Sequence, residues 1–154
     1  GKLRGKAKSM RYQKDFDPNR RNRLGFALSD ITQHLPGAFL IYKADPENDQ
    51  ILFANQELVT YAGCKNLDEF MQYSKHSFRN LIRSDEQEAV EKSIWQQIQS
   101  QADGTNDFVQ FHFVKKDGST HPVLDHGRIV ESNYYGNVFY VLIMDCQLLD
   151  EHYD

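Results

Sequence analysis

Two cysteines, Cys64 and Cys146, are all that this chain of 154 residues contains. They form no CxxC pair and no metal-type spacing, which excludes a disulfide framework. Free thiols suit a reducing compartment, so a cytoplasmic location is expected. No apolar run is long enough to cross a bilayer, and no apolar stretch follows the N-terminal charges as it would in a signal peptide. Direct membrane insertion is therefore not expected. The six histidines, His34, His76, His112, His121, His126 and His152, share no ligand spacing, so no metal residue is assigned.

Positive charge is scarce outside one segment. Residues 1–23 hold nine Lys or Arg against two Asp, which puts +7 on this arm and −11 on the remainder for a net charge of −4. An acidic body lacks the basic face that phosphates require, so nucleic acid is not an expected partner. The arm lacks apolar periodicity and reads as a solvated linker, the alternative being contact with an anionic surface.

Aromatic residues are plentiful. Ten Phe and eight Tyr favour a substantial sheet. Leu24, Leu28, Ile31 and Leu35 recur at four, three and four, one stripe of an amphipathic helix over residues 24–35, which Pro36-Gly37 stops. Off-stripe Phe26 and Ala27 widen its apolar surface. Such a surface marks an interaction site, and the expectation is a homodimer through Leu24, Leu28 and Ile31. Apolar runs at 38–42 and 51–54 flank a polar turn and predict an antiparallel hairpin. Short helices follow over 56–61 and around Leu67, Phe70 and Met71. Ser84 and Gln87 have capping-box spacing ahead of a longer helix, in which Val90, Ile94 and Ile98 step by four. Val109, Phe111 and Phe113 then alternate with Gln110 and His112, the period of a strand. Asp117-Gly118 predicts a two-residue hairpin loop. Strands over 123–130 and 138–144 complete the set, with a turn at Tyr134-Tyr135-Gly136-Asn137 between them. Strands and helices are segregated, so the fold class is α+β: a five-stranded antiparallel sheet, helices on one face and a flanking N-terminal helix.

Particular words stand along this order. Leu35-Pro36-Gly37-Ala38-Phe39 opens the first strand, and Phe53-Ala54-Asn55 closes the second. Tyr61-Ala62-Gly63-Cys64 precedes Leu67-Asp68-Glu69-Phe70. Phe78-Arg79-Asn80-Leu81-Ile82 and Ser84-Asp85-Glu86 open the long helix. Lys115-Lys116-Asp117-Gly118-Ser119 turns a hairpin, and Phe139-Tyr140-Val141-Leu142-Ile143-Met144-Asp145 closes the sheet. In order and spacing, over residues 29–145, this resembles the PAS family of sensor domains found beside GGDEF, EAL or histidine kinase output domains in bacteria. The chain departs from the pattern twice. Pro122 stands where many such domains have Trp, and Asp145-Cys146-Gln147 lacks the hydroxyl that usually follows the exit Asp.

The resemblance implies a division into an arm (1–23), a flanking helix (24–35), a sensor domain (36–146) and the start of a linker to an output domain (147–154). It implies a sensory and dimerisation module with Asp145 as signal exit, and a small ligand, if one binds, held between sheet and helices. Tyr42, Phe53, Asn55, Phe111, Phe113 and Tyr140 are the residues placed to line that space. No output motif of the GGDEF, EAL or kinase kind occurs, and no catalytic residue is assigned. Haem-binding members use a His on the long helix, and residues 87–100 contain none. Flavin-binding members carry an Asn-Cys-Arg-Phe-Leu-Gln word, whereas Cys64 sits in Ala-Gly-Cys-Lys-Asn. Neither cofactor is expected. A haem or flavin sensor stays as an alternative, as does a small α+β enzyme of the ketosteroid isomerase kind. Asp125 and His126 cannot form that enzyme's acid–base pair, because neighbours on a strand face opposite ways. A buried carboxylate with a raised pKa would favour it.

Overall fold

A computed structural model of the chain describes residues 25–100 and 104–153, without the side chains of Leu149, His152 and Tyr153. The chain divides into two units, Gly1–Pro36 and Gly37–Asp154. In the first, helix α1 spans Leu28–His34. It starts later than the apolar stripe suggests. Gly25 takes a φ of 83°, which a helix cannot continue, and the Ala27 amide donates to Asp30 Oδ2 at 3.0 Å, closing the first turn. Leu24 lies outside the described residues.

The second unit is built on five strands: β1 (Ala38–Lys43), β2 (Ile51–Ala54), β3 (Asn106–Val114), β4 (Thr120–Ser132) and β5 (Gly136–Asp145). All neighbours are antiparallel, in the order β2-β1-β5-β4-β3. The apolar run in β5 thus forms the central strand. Alternation sets the two faces. Ala38, Leu40 and Tyr42 turn inward from β1, joined by Phe139, Val141 and Ile143 from β5 and by Phe111 and Phe113 from β3. The other face carries Tyr140, Leu142 and Met144, which are 44%, 43% and 38% exposed.

Helices α2 (Gln56–Tyr61), α3 (Leu67–Ser74) and α4 (Gln87–Ser100), with a 3-10 turn at Phe78–Leu81, cover the inward face. Leu58, Phe70, Phe78, Leu81, Val90 and Ile94 interlock there with the strands in one core. A last helix, α5 (Cys146–Tyr153), follows β5 directly. Two local details differ from the sequence reading. Gln87 forms no capping box with Ser84; its side-chain amide donates to the carbonyls of Arg79 (3.0 Å) and Ile82 (3.2 Å), tying α4 to the 3-10 turn. The β3–β4 loop has three residues, not two. The Lys115 amide donates to Ser119 O at 2.8 Å, the Gly118 amide to Lys115 O at 2.9 Å, and of the pair Asp117-Gly118 only Gly118 has a positive φ. That is a tight turn followed by one left-handed residue, the form a three-residue hairpin takes.

Pro122 is tolerated inside β4 for a simple reason. The amide and carbonyl of its partner His112 point away, to Glu86 and Arg83, so Pro122 has no ladder bond to give on that side. On the other side β5 pairs only from Val123 onward.

Candidate functional site

Three features of the second unit carry polar groups where a sheet-and-helix core ordinarily has none. The first is inside. On β4, Asp125 and Gly127 turn inward while His126 and Arg128 turn outward. Asp107 on β3 stands opposite Gly127, and a Cβ at 127 would lie 2.5 Å from Asp107 Oδ1. Glycine makes room for the carboxyl. Asp107 and Asp125 are each 1% exposed, and among the described residues Asp107 Oδ1 and both oxygens of Asp125 have no hydrogen-bond partner. Burial pushes the Asp107 carboxyl up to about 6. Burial, then the charge of Asp107, push Asp125 well above the carboxylate range. A neutral carboxyl such as Asp125 could serve an isomerase as a hydrogen-bond donor, but a catalytic group must also reach its substrate, and neither Asp lines the cleft described next.

The second feature is that cleft, of about 480 Å³, between the β1–β2 turn and α4. Its inner wall is aromatic. Tyr42, 5% exposed, stacks on Phe78 (centroids 4.2 Å apart, planes at 6°), and Trp95 meets Phe139 edge-on at 5.6 Å. Its rim is acidic, from Asp45, Glu47 and Asp49 on the turn and Glu88 and Glu91 on α4.

The third is the junction where the sheet ends. Tyr61 Oη, from the end of α2, donates to Asp145 Oδ2 at 2.7 Å, while Asp145 Oδ1 accepts from the amides of Gln147 (2.8 Å) and Leu148 (3.3 Å) at the start of α5. Burial acts to raise the Asp145 carboxyl, but the Tyr61 hydrogen bond and the two amides outweigh it and hold the group below its usual range. The hydroxyl missing after Asp145 in the sequence is replaced from 84 positions away.

The residues read from the sequence separate into groups. Tyr42 lines the cleft. Phe111 and Phe113 are buried in the core, Phe111 edge-on to Phe78 and Phe113 edge-on to Tyr61. Asn55 is buried and structural. Its Oδ1 accepts from the amides of Leu58 (3.1 Å) and Phe39 (3.0 Å), and its Nδ2 donates to Gly37 O (2.8 Å), so it caps α2 and pins it to β1. Phe53 and Tyr140 do not join this group. They lie on the other face of the sheet, both against Phe39, at 6.0 and 5.9 Å. Leu28 and Ile31 are exposed on α1. Cys64 does not fit a flavin adduct. It is buried after α2, and burial and the nearby Glu69 carboxylate push its thiol up, away from the reactive thiolate. Among the described residues no group of three His, Cys, Asp or Glu could hold a metal ion, and no helix is long and apolar enough to cross a membrane. The buried Asp107 was missed, although its parity with Val109, Phe111 and Phe113 puts it on the inward face. Trp95 and Tyr61 were missed because their partners are remote in sequence.

No protein-family model and no curated protein matches the chain. Solved structures do. The PAS domain of an HTR-like protein from Haloarcula marismortui superposes with a TM-score of 0.57 at 16% identity, over 94% of this chain and 99% of that one. A PAS domain from a two-component sensor histidine kinase gives 0.57 at 12% identity, over 77% and 92%. A Rhodobacter sphaeroides LOV protein gives 0.59 at 14% identity, over 77% and 64%. The five-stranded antiparallel sheet with its helical layer is the PAS fold.

Proposed function

On that fold, we propose that the chain is a cytoplasmic sensory and dimerisation module of a bacterial signalling protein, without catalytic activity of its own. It biases a covalently linked output domain of the diguanylate cyclase, phosphodiesterase or histidine kinase kind. The observation that carries this reading is the Asp145 junction. One carboxylate is bonded on one oxygen to the helical layer, through Tyr61, and on the other to the first amides of α5. A shift of α2 on the sheet is therefore felt at the start of the helix that leaves it. Signalling needs such a two-state element, and a ligand or partner biases it by binding one state better. The fold neighbours, which include the PAS domain of a histidine kinase, support the same reading.

The test is a fusion of the full chain, through α5, to a histidine kinase output domain. Tyr61→Phe removes one hydroxyl and leaves the ring against Phe113. It should change basal autophosphorylation about fivefold or more while far-ultraviolet circular dichroism stays the same, the size of one broken charge-assisted hydrogen bond. Unchanged output in a folded Tyr61→Phe fusion refutes the junction as the signal exit.

A further inference from the structure

We propose that the cleft between the β1–β2 turn and α4 is a binding site for a small organic cation, an alkylammonium with apolar arms. The site rests on two independent observations. One is charge. Of the two cations at the rim, Arg79 is taken up by Glu91 at 3.2 Å, and Asp49 by the Ser77 hydroxyl (2.7 Å) and the Arg79 amide (2.8 Å). Asp45 accepts from the Glu47 amide at 2.9 Å, which leaves Glu47 and Glu88 against Lys92. The other is an unanswered polar atom. Tyr42 is 5% exposed and lines the cleft, yet among the described residues its hydroxyl makes no hydrogen bond. The oxygen is not among the fully enclosed unpaired atoms, so it opens into the cleft, where a bound donor can meet it.

The chemistry of the occupant follows. The ionised groups acting on Tyr42 are the carboxylates of Asp49 and Glu91, so an anion approaching the hydroxyl is repelled and an ammonium is drawn in. Tyr42 is covered by Phe78 at 4.2 Å and Phe139 at 5.2 Å and offers the cleft its hydroxyl, while half-buried Trp95, held edge-on by Phe139, offers a ring. Ring faces fixed beside carboxylates are what recognises alkylammonium groups. An N–H of the ammonium can donate to Tyr42 Oη. A volume of about 480 Å³ suits a small molecule.

The chain reports on this site by itself, because Trp95 is its single tryptophan. Titration of the full chain with butylammonium and with choline should change Trp95 emission saturably. Neutral 3,3-dimethylbutanol, the shape of choline without its charge, should bind about tenfold more weakly. The double variant Glu47→Gln, Glu88→Gln should weaken both cations about threefold or more, with unchanged circular dichroism. Tyr42→Phe keeps the stack on Phe78 and removes only the hydroxyl, so it should weaken butylammonium and leave tetramethylammonium, which has no N–H or O–H, unaffected. Equal binding of choline and its neutral analogue, or no saturable response to either cation up to about 10 mM, overturns the proposal. The inference deepens the sensor reading, and the two fail separately. Binding that leaves the fused kinase unchanged keeps the cation site and sinks its role as a signal.

Discussion

Replacing Asp107 by Asn should change how stability depends on pH. The carboxyl ordinarily titrates near 3.8, and burial beside Gly127 raises it to about 6. The folded chain therefore holds this proton more tightly than the unfolded chain does. The stability tied to that proton is fully present below pH 4 and is lost as pH rises through 6. A shift of about two units is worth roughly 3 kcal/mol at most, at about 1.4 kcal/mol per unit. Asp125 acts in the same direction. Asp145, Glu86 and Asp117, all held below their usual range, act in the opposite one, so the raw profile of the wild type mixes both signs. The difference between wild type and Asp107→Asn reports Asp107 together with the part of the Asp125 shift that the Asp107 charge causes. Asn has nearly the same shape and does not titrate, so its own unpaired amide adds a constant offset. Urea unfolding followed by circular dichroism at pH 4.5, 5.5, 6.5 and 7.5 should show the variant gaining about 2 kcal/mol on the wild type across the series. A difference that is flat with pH refutes the claim that the folded chain buries this carboxyl unpaired.

Other expectations follow from named contacts. Gly127→Ala places a methyl 2.5 Å from Asp107 Oδ1 and should cost about 1–3 kcal/mol in urea unfolding, and much of that loss should disappear when Asp107→Ala is made in the same chain. Gly118→Val meets no neighbour within 4 Å, so its cost of about 1–2 kcal/mol should come from the left-handed backbone alone, and unchanged stability would deny the turn. If the flanking helix pairs chains, Leu24→Glu with Leu28→Glu should give a folded monomer by sedimentation equilibrium. A wild type that stays monomeric at high micromolar concentration ends that idea.

The order of elements was legible because each rests on a local signal. Period two in β3, the step of four in α4 and the glycine after Asp117 each needed only near neighbours. The face on which a residue sits was harder to read. Tyr140 belongs to an unbroken apolar run, which hides the alternation that sends it to the exposed face. The α1 start was misplaced because a stripe of leucines says nothing of the positive φ at Gly25. What the sequence concealed most fully was pairing across distance. Asp107 carried no mark of its own until Gly127 stood opposite it. Tyr61 looked like the tail of a short helix until Asp145 arrived beside it.

The position of β5 has a mechanical consequence. The first strand of the sheet lies beside the last, with Ala38 opposite Ile143 and Lys43 opposite Val138. Tension applied through residues 38 and 145 therefore acts on the same end of one antiparallel ladder, across the strands and along its hydrogen bonds. The rungs would open one after another, like a zipper, instead of sharing the load as strands pulled lengthwise do. A domain strung between neighbours in this way yields at low force, and it yields first at the loaded end of that ladder, where Ala38 and Ile143 face each other.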